Sequence, residues 1–234
     1  MPHKNTLELI GSTTCPYVQR VRIALIEKEL PHEFIAIDLN NKPSWLKEIS
    51  PYEKVPVLKQ DSLCLYESTV INEYLDEVFP NPALMPNVPH LRAQARIWIN
   101  FFENQLIPHY YKMLLSQEDS QQELFREKLL KNLIFMELHG FAIFSQKGSF
   151  WFGEQLTLVD IALYPFFERF PALAHYRDIE IPKECLQLRK WLAAMKQRPA
   201  VLQSGNPVET YIKTFAKYAD NSATSISANE FRSK

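Results

Sequence analysis

"LELIGSTTCPYVQRVRIAL", residues 7–25, passes from a short apolar run through a small polar turn into a pattern of helical period. Residues 7–10 read as a strand. After the turn, Val18, Val21 and Leu25 recur every three or four residues with Arg20 and Arg22 between them and Glu27 just beyond, which predicts an amphipathic helix. Pro16 suits the first helical position, where an N–H would have no partner in any case. Cys15 then falls at the N-cap. There the orphan N–H groups of the first turn and the positive end of the helix dipole favour a thiolate over a thiol.

The residues that follow continue the alternation. "EFIAIDL", residues 33–39, gives a second strand, and "KPSWLKEIS" a short helix opened by Pro43. "VPVLKQDSLCLYES" reads as two strands joined at Gln60, Asp61 and Ser62, before "STVINEYLDEVF" returns to helical spacing. The order βαβαββα, a parallel crossover followed by a hairpin, is the layout of a thioredoxin-like α/β domain over residues 1–80. A linker, 81–90, lies in a segment carrying Pro80, Pro82, Pro86 and Pro89. From 91 to 218 the pattern is helical throughout, with stretches such as "LTLVDIALYPFFERFPAL" separated by polar, Gly or Pro breaks, so the second domain is expected to be all α. The polar tail, 219–234, is expected to be disordered.

Composition narrows the function. With 234 residues, 46% hydrophobic and 23% charged, and a formal net charge of -1, the chain carries no electrostatic signature for nucleic acid or anionic membrane. It has no apolar run of signal-peptide length and none approaching the roughly 20 residues that span a bilayer, so a cytoplasmic location is expected. The three cysteines, Cys15, Cys64 and Cys185, form no disulfide framework and no metal-site spacing; the last two sit in apolar patterns and read as core.

Four stretches, "TTCPYVQRVRIAL", "NNKPSWLKEISPYEKVPVL", "LYEST" and "LTLVDIALYPFFER", together resemble the cytosolic glutathione transferases, above all the cysteine-containing omega and lambda groups. The resemblance runs from about residue 6 to about residue 200 and implies a thioredoxin-like N-domain beside a helical C-domain. It also implies a glutathione site. Pro56 would be cis, so that Val55 offers its N–H and C=O to the cysteinyl backbone of glutathione as an added strand would. Ser68, at a helix start, would meet the γ-glutamyl carboxylate, and Glu67 the ammonium. Lys42 would meet the glycyl carboxylate, with Lys54 a weaker competitor.

"TLVD", residues 157–160, has the form of a capping box with Asp in place of Glu; the resemblance makes Thr157 and Asp160 a buried, structural pair. Most transferases of this kind activate glutathione with a hydroxyl, whereas here the matching position is Cys15. That implies glutathione-dependent thiol transfer and dehydroascorbate reduction through a Cys15–glutathione mixed disulfide. Val18 stands where a resolving cysteine would be, so the cycle is read as monothiol. A homodimer is implied, with glutathione as co-substrate and no metal.

Two other readings remain at this level. "INEYLDEVFPNPALMP" also resembles stringent starvation protein A, a transferase-fold partner of RNA polymerase, which would make the chain an interaction module. A membrane-inserting, chloride-channel-like relative shares the Cys-Pro start, but the charges at Arg20, Arg22, Glu27 and Lys28 give it no support.

Overall fold

The strand at the front of the chain is buried at every position but Glu8, as befits the middle of a sheet. In a computed structural model, which describes residues 6–145 and 147–233, β1 (Leu7–Gly11) lies between β2 (His32–Ala36) and β3 (Val57–Gln60), with β4 (Leu63–Tyr66) at the edge in the order β2-β1-β3-β4. β1 and β2 are parallel, pairing Leu9 with Phe34; β3 runs antiparallel to both β1 and β4, pairing Leu58 with Leu9 and with Leu65. Helix α1 (Pro16–Glu27) makes the crossover, α2 (Leu46–Ile49) precedes β3, and α3 (Ser68–Val78) closes the unit. The order is the βαβαββα read from the sequence. Gly11 lets α1 sit close on β1: a Cβ there would lie 2.4 Å from Val18 Cγ2.

Two boundaries differ from the periodicity. β2 ends at Ala36 instead of running to residue 39, because the Asp38 carboxylate accepts the Asn40 N–H at 2.8 Å and turns the chain. The short helix opens at Leu46, not Pro43; the Pro43 carbonyl is taken by the Leu46 N–H, so Pro43 belongs to the preceding turn.

The segment between the domains is pinned by a buried ion pair. Lys28 Nζ donates to Asp76 Oδ1, Phe79 O and Pro82 O, each at 2.7 Å, while Asp76 accepts the N–H groups of Leu84 and Met85. The helical domain follows as α4 (Pro89–Phe101), α5 (Ile107–Leu115), α6 (Asp119–Phe135), α7 (Ala142–Phe144), α8 (Leu158–Glu168), α9 (Phe170–Arg177), α10 (Leu186–Lys196), α11 (Pro199–Ser204) and α12 (Val208–Ala219). A π-helical segment, Phe102–Leu106, joins α4 to α5 without a break, and another, Met136–Phe141, joins α6 to α7. Asp160 is wholly buried and accepts four hydrogen bonds, from Trp151 N–H, Trp191 Nε1, Thr157 N–H and Thr157 Oγ1, at 2.7–2.9 Å. The Thr157–Asp160 capping box therefore opens α8 inside the core and fixes two buried tryptophans as it does so.

The tail corrects the expectation of disorder. Residues Ile226–Ser233 form a last helix, α13, on which Ala228 is buried and Phe231 stacks face to face on Tyr111 at 4.7 Å. Ser225 Oγ accepts the Ala228 N–H and starts it. The segment is polar in composition, yet Ala223, Ala228 and Phe231 have an apolar seat ready-made by Leu115 and Tyr218.

Candidate active site

α1 places Cys15 where its sequence position implied. The residue is the N-cap, in extended backbone conformation, with Pro16 at the first helical position. Its side chain is half-buried and opens into a cleft of about 470 Å³ between the two domains. The same cleft is lined by Lys42, Lys54, Val55, Pro56, Glu67 and Ser68, so the residues singled out from three separate sequence stretches converge on one concave surface. The peptide bond between Val55 and Pro56 is cis, and Val55 lies just beyond the β1–β3 ladder, which begins at Val57. Glu67 sits at the N-cap of α3 with φ at 70°, in a region a non-glycine residue seldom occupies. Ser68, behind it, is buried and accepts a hydrogen bond from Arg20 Nη1 at 3.2 Å.

The electrostatics of Cys15 differ from the sequence expectation. The N–H groups of Val18 and Tyr17 and the charges of Arg169 and Arg20 do favour the thiolate, yet desolvation outweighs them and holds the thiol above its ordinary value. The N-cap position supplies the helix dipole; the depth of the cleft removes the water that would otherwise solvate the charge. Tyr17, on the same wall, is half-buried and its phenol is held well above the usual range, chiefly by desolvation. It is therefore a neutral hydroxyl at any ordinary pH.

The two lysines are differently engaged. Lys42 Nζ donates to the Glu53 carbonyl, at 2.9 Å and near solvent. Lys54 Nζ is held by both oxygens of Glu230, at 2.7 and 2.9 Å, so the tail helix crosses the cleft and ties to the N-domain.

Several residues in or behind the cleft escaped the sequence reading. Arg20, read as a solvent-facing charge, is 1% exposed; it pairs with Glu103 at 2.5 Å and bonds to the Ala162 carbonyl, while its Nη2 has no hydrogen-bond partner among the described residues. Its guanidinium lies 5.0 Å from the ring centroids of both Tyr17 and Phe166. Glu103 and Asn104, neighbours in the π-helical segment Phe102–Leu106, both line the cleft. Pro108, His109 and Lys112 complete the far wall, with Ile226 and Phe231 of α13 above it. His109 is pushed down from its usual value, first by desolvation and then by Lys128 and Lys112, which keeps it neutral near pH 7.

Cys64 is half-buried on β4 and Cys185 wholly buried in the C-domain, where burial raises its thiol to about 11. Among the described residues no cluster of His, Cys, Asp and Glu side chains could hold a metal ion, and no helix is long and apolar enough to cross a membrane.

The sequence matches the family described as "Glutathione S-transferase, N-terminal domain" over residues 9–83 and "Glutathione S-transferase, C-terminal domain" over residues 119–194. It is 33% identical to glutathione S-transferase omega-2 of Rattus norvegicus over 85% of this chain and 78% of that protein. Among solved structures, a tau-class glutathione S-transferase from mango, Mangifera indica, superposes with a TM-score of 0.86 at 26% identity, over 92% of this chain and 99% of the other. A dehydroascorbate reductase of Chlamydomonas reinhardtii gives a TM-score of 0.76 at 26% identity, over 91% and 98% respectively.

Proposed function

The chain belongs to the glutathione S-transferase family, and from that premise we propose that it is a cysteine-type member acting in glutathione-dependent thiol transfer and dehydroascorbate reduction. The observation that carries the reading is Cys15 itself: a thiol at a helix N-terminus, on the wall of a cleft that also holds Lys42, Val55, Glu67 and Ser68. The cleft volume of about 470 Å³ suits a tripeptide with room for a small partner, lying inside the range of roughly 300–1,000 Å³ for ligand pockets.

The residues have separable roles. Val55 offers main-chain groups to the cysteinyl unit of glutathione, and the free N–H groups at the start of α3, with Ser68, receive the γ-glutamyl carboxylate. Glu67 faces the ammonium, and Lys42 takes the glycyl carboxylate. In this reading the glutathione sulfur comes to lie beside Cys15.

In the reaction, the Cys15 thiolate attacks the glutathione sulfur of a mixed disulfide R–S–S–G. The Cys15–S–glutathione bond forms, the old S–S bond breaks, and R–S⁻ leaves and takes up a proton. A second glutathione thiolate then attacks the glutathione sulfur of that adduct, releasing glutathione disulfide and the Cys15 thiolate. Val18, buried where a resolving cysteine would stand, leaves the second step to glutathione.

A homodimer is part of the proposal: α3 and α4 leave Val70, Val78 and Ile97 exposed on the side away from their own core. Sedimentation at micromolar concentration should give twice the chain mass. The catalytic reading is tested by glutathione-dependent reduction of a small mixed disulfide, with aryl-halide conjugation in parallel. Wild type should reduce the disulfide and both Cys15→Ser and Cys15→Ala should lose the activity. A chain that neither turns over nor binds glutathione would instead be an interaction module.

A further inference from the structure

The loop that carries Cys15 is not held by its own domain alone. Arg169, wholly buried at the junction of α8 and α9, reaches across the interface and directs two of its nitrogens at one atom: Nη2 and Nε donate to the Thr14 carbonyl at 2.9 and 3.3 Å. That carbonyl belongs to the peptide unit joining Thr14 to Cys15. The third nitrogen, Nη1, donates to Gln19 Oε1 on the next turn of α1 and to the Pro165 carbonyl, each at 2.6 Å. The guanidinium lies over the Tyr211 ring, 4.2 Å from its centroid. Gln19 in turn donates to Glu168 Oε2 at 2.7 Å, and Tyr211 OH donates to the same oxygen. One residue further back, Asn206 Nδ2 holds the Thr13 carbonyl at 2.9 Å.

We infer that Arg169 is a positioning residue for the Cys15 nucleophile: by fixing the plane of the Thr14–Cys15 peptide it sets the direction in which the sulfur enters the cleft. The inference rests on the catalytic reading of Cys15. A helical domain whose only task was to cover the sheet would need apolar contact with α1; it would not need a buried cation spending two donors on one loop carbonyl. The charge also lies close enough to act on the sulfur, together with Arg20, while Tyr17 and Tyr218 face it as neutral phenols. The fork geometry is what matters most. A lysine at 169 would keep the charge but could not aim two fixed nitrogens at one oxygen and a third at Gln19.

The test compares wild type with Arg169→Lys and Arg169→Met, each first shown to be folded by circular dichroism. Three readouts are taken: the rate at which iodoacetamide alkylates Cys15, followed by intact mass at one pH; kcat and KM for glutathione-dependent disulfide reduction; and the dissociation constant for glutathione. Arg169→Met should alkylate and turn over roughly 10 to 100-fold more slowly, on the scale of a misplaced reacting group. Arg169→Lys should fall between it and wild type, with the glutathione constant moving less than about threefold in either. Alkylation and kcat at wild-type values in both variants, with only thermal stability lowered, would overturn the inference. Should Arg169→Met fail to fold, Arg169→Lys alone decides by the same criterion. Because alkylation reads the sulfur without turnover, it separates failure of this inference from failure of the catalytic reading, which Cys15→Ser reports on its own.

Discussion

Replacing Asp160 by alanine removes one carboxylate and strands the donors it serves: Trp151 N–H, Trp191 Nε1, Thr157 N–H and Thr157 Oγ1. Each buried donor left without a partner costs about 1–3 kcal/mol. The lower end applies here, because burial already penalises the carboxylate and pushes its pKa up, so part of what the bonds contribute is spent on desolvation. A loss of about 4 kcal/mol follows, a large part of the ~5–15 kcal/mol that holds a domain together. For a chain of this size it should lower the melting temperature by roughly 8–16 °C, at about 2–4 °C per kcal/mol. Trp151 and Trp191 are buried against this carboxylate, so tryptophan fluorescence during urea unfolding is a direct readout. Thr157→Val, which removes a single donor hydroxyl, should cost only about 1 kcal/mol. If Asp160→Ala lost less than that control, the carboxylate would not be what holds α8 in the core.

At the cleft, Lys42→Met should raise the glutathione KM about tenfold, the loss of one charge-assisted bond of roughly 1.5 kcal/mol, whereas Lys54→Met should change it less than twofold because Glu230 already occupies that ammonium. Equal effects from both, read from initial rates, would show that Glu230 yields to the ligand. Cys15 should alkylate faster as pH rises, with a midpoint above that of a free thiol in solution: its raised pKa means the proton is held more tightly than normal, so the thiolate appears late. A midpoint below the free-thiol value would mean that the helix N-terminus and the two arginines outweigh burial.

How far the sequence could be read depended on whether the cause was local. Leu7 through Leu25 encode a strand, a tight approach at Gly11 and a proline-opened helix within one short run, and the N-cap position of Cys15 is legible in that run. The Thr157–Asp160 box is equally local. Arg20 and Arg169 were illegible because their burial is completed across the domain interface: α1 is covered by the sheet and α3 of its own domain and by α8 and α11 of the other, so it has almost no wet face for a charge to mark, and Arg169 is enclosed by Thr14 and Gln19 as well as by Tyr211. Glu103 and Asn104 were missed for a different reason. Helical periodicity runs unbroken from α4 into α5, and nothing in it announces the π-helical segment on which those side chains line the cleft. The tail helix was hidden by composition, since Ala223, Ala228 and Phe231 carry too little apolar surface to declare a helix without the seat waiting for them. Ser225, as its cap, was the one local signal available.

The central claim is that Cys15 forms the covalent intermediate, and intact mass spectrometry tests it most directly. Wild-type protein is incubated with glutathione disulfide, quenched in acid and weighed without reductant, beside Cys15→Ser, Cys64→Ser and Cys185→Ser. The account predicts a single added glutathione on wild type, Cys64→Ser and Cys185→Ser, reversed by excess glutathione and absent from Cys15→Ser. An adduct that persists in Cys15→Ser, or no adduct on wild type while the disulfide is still being reduced, would contradict it.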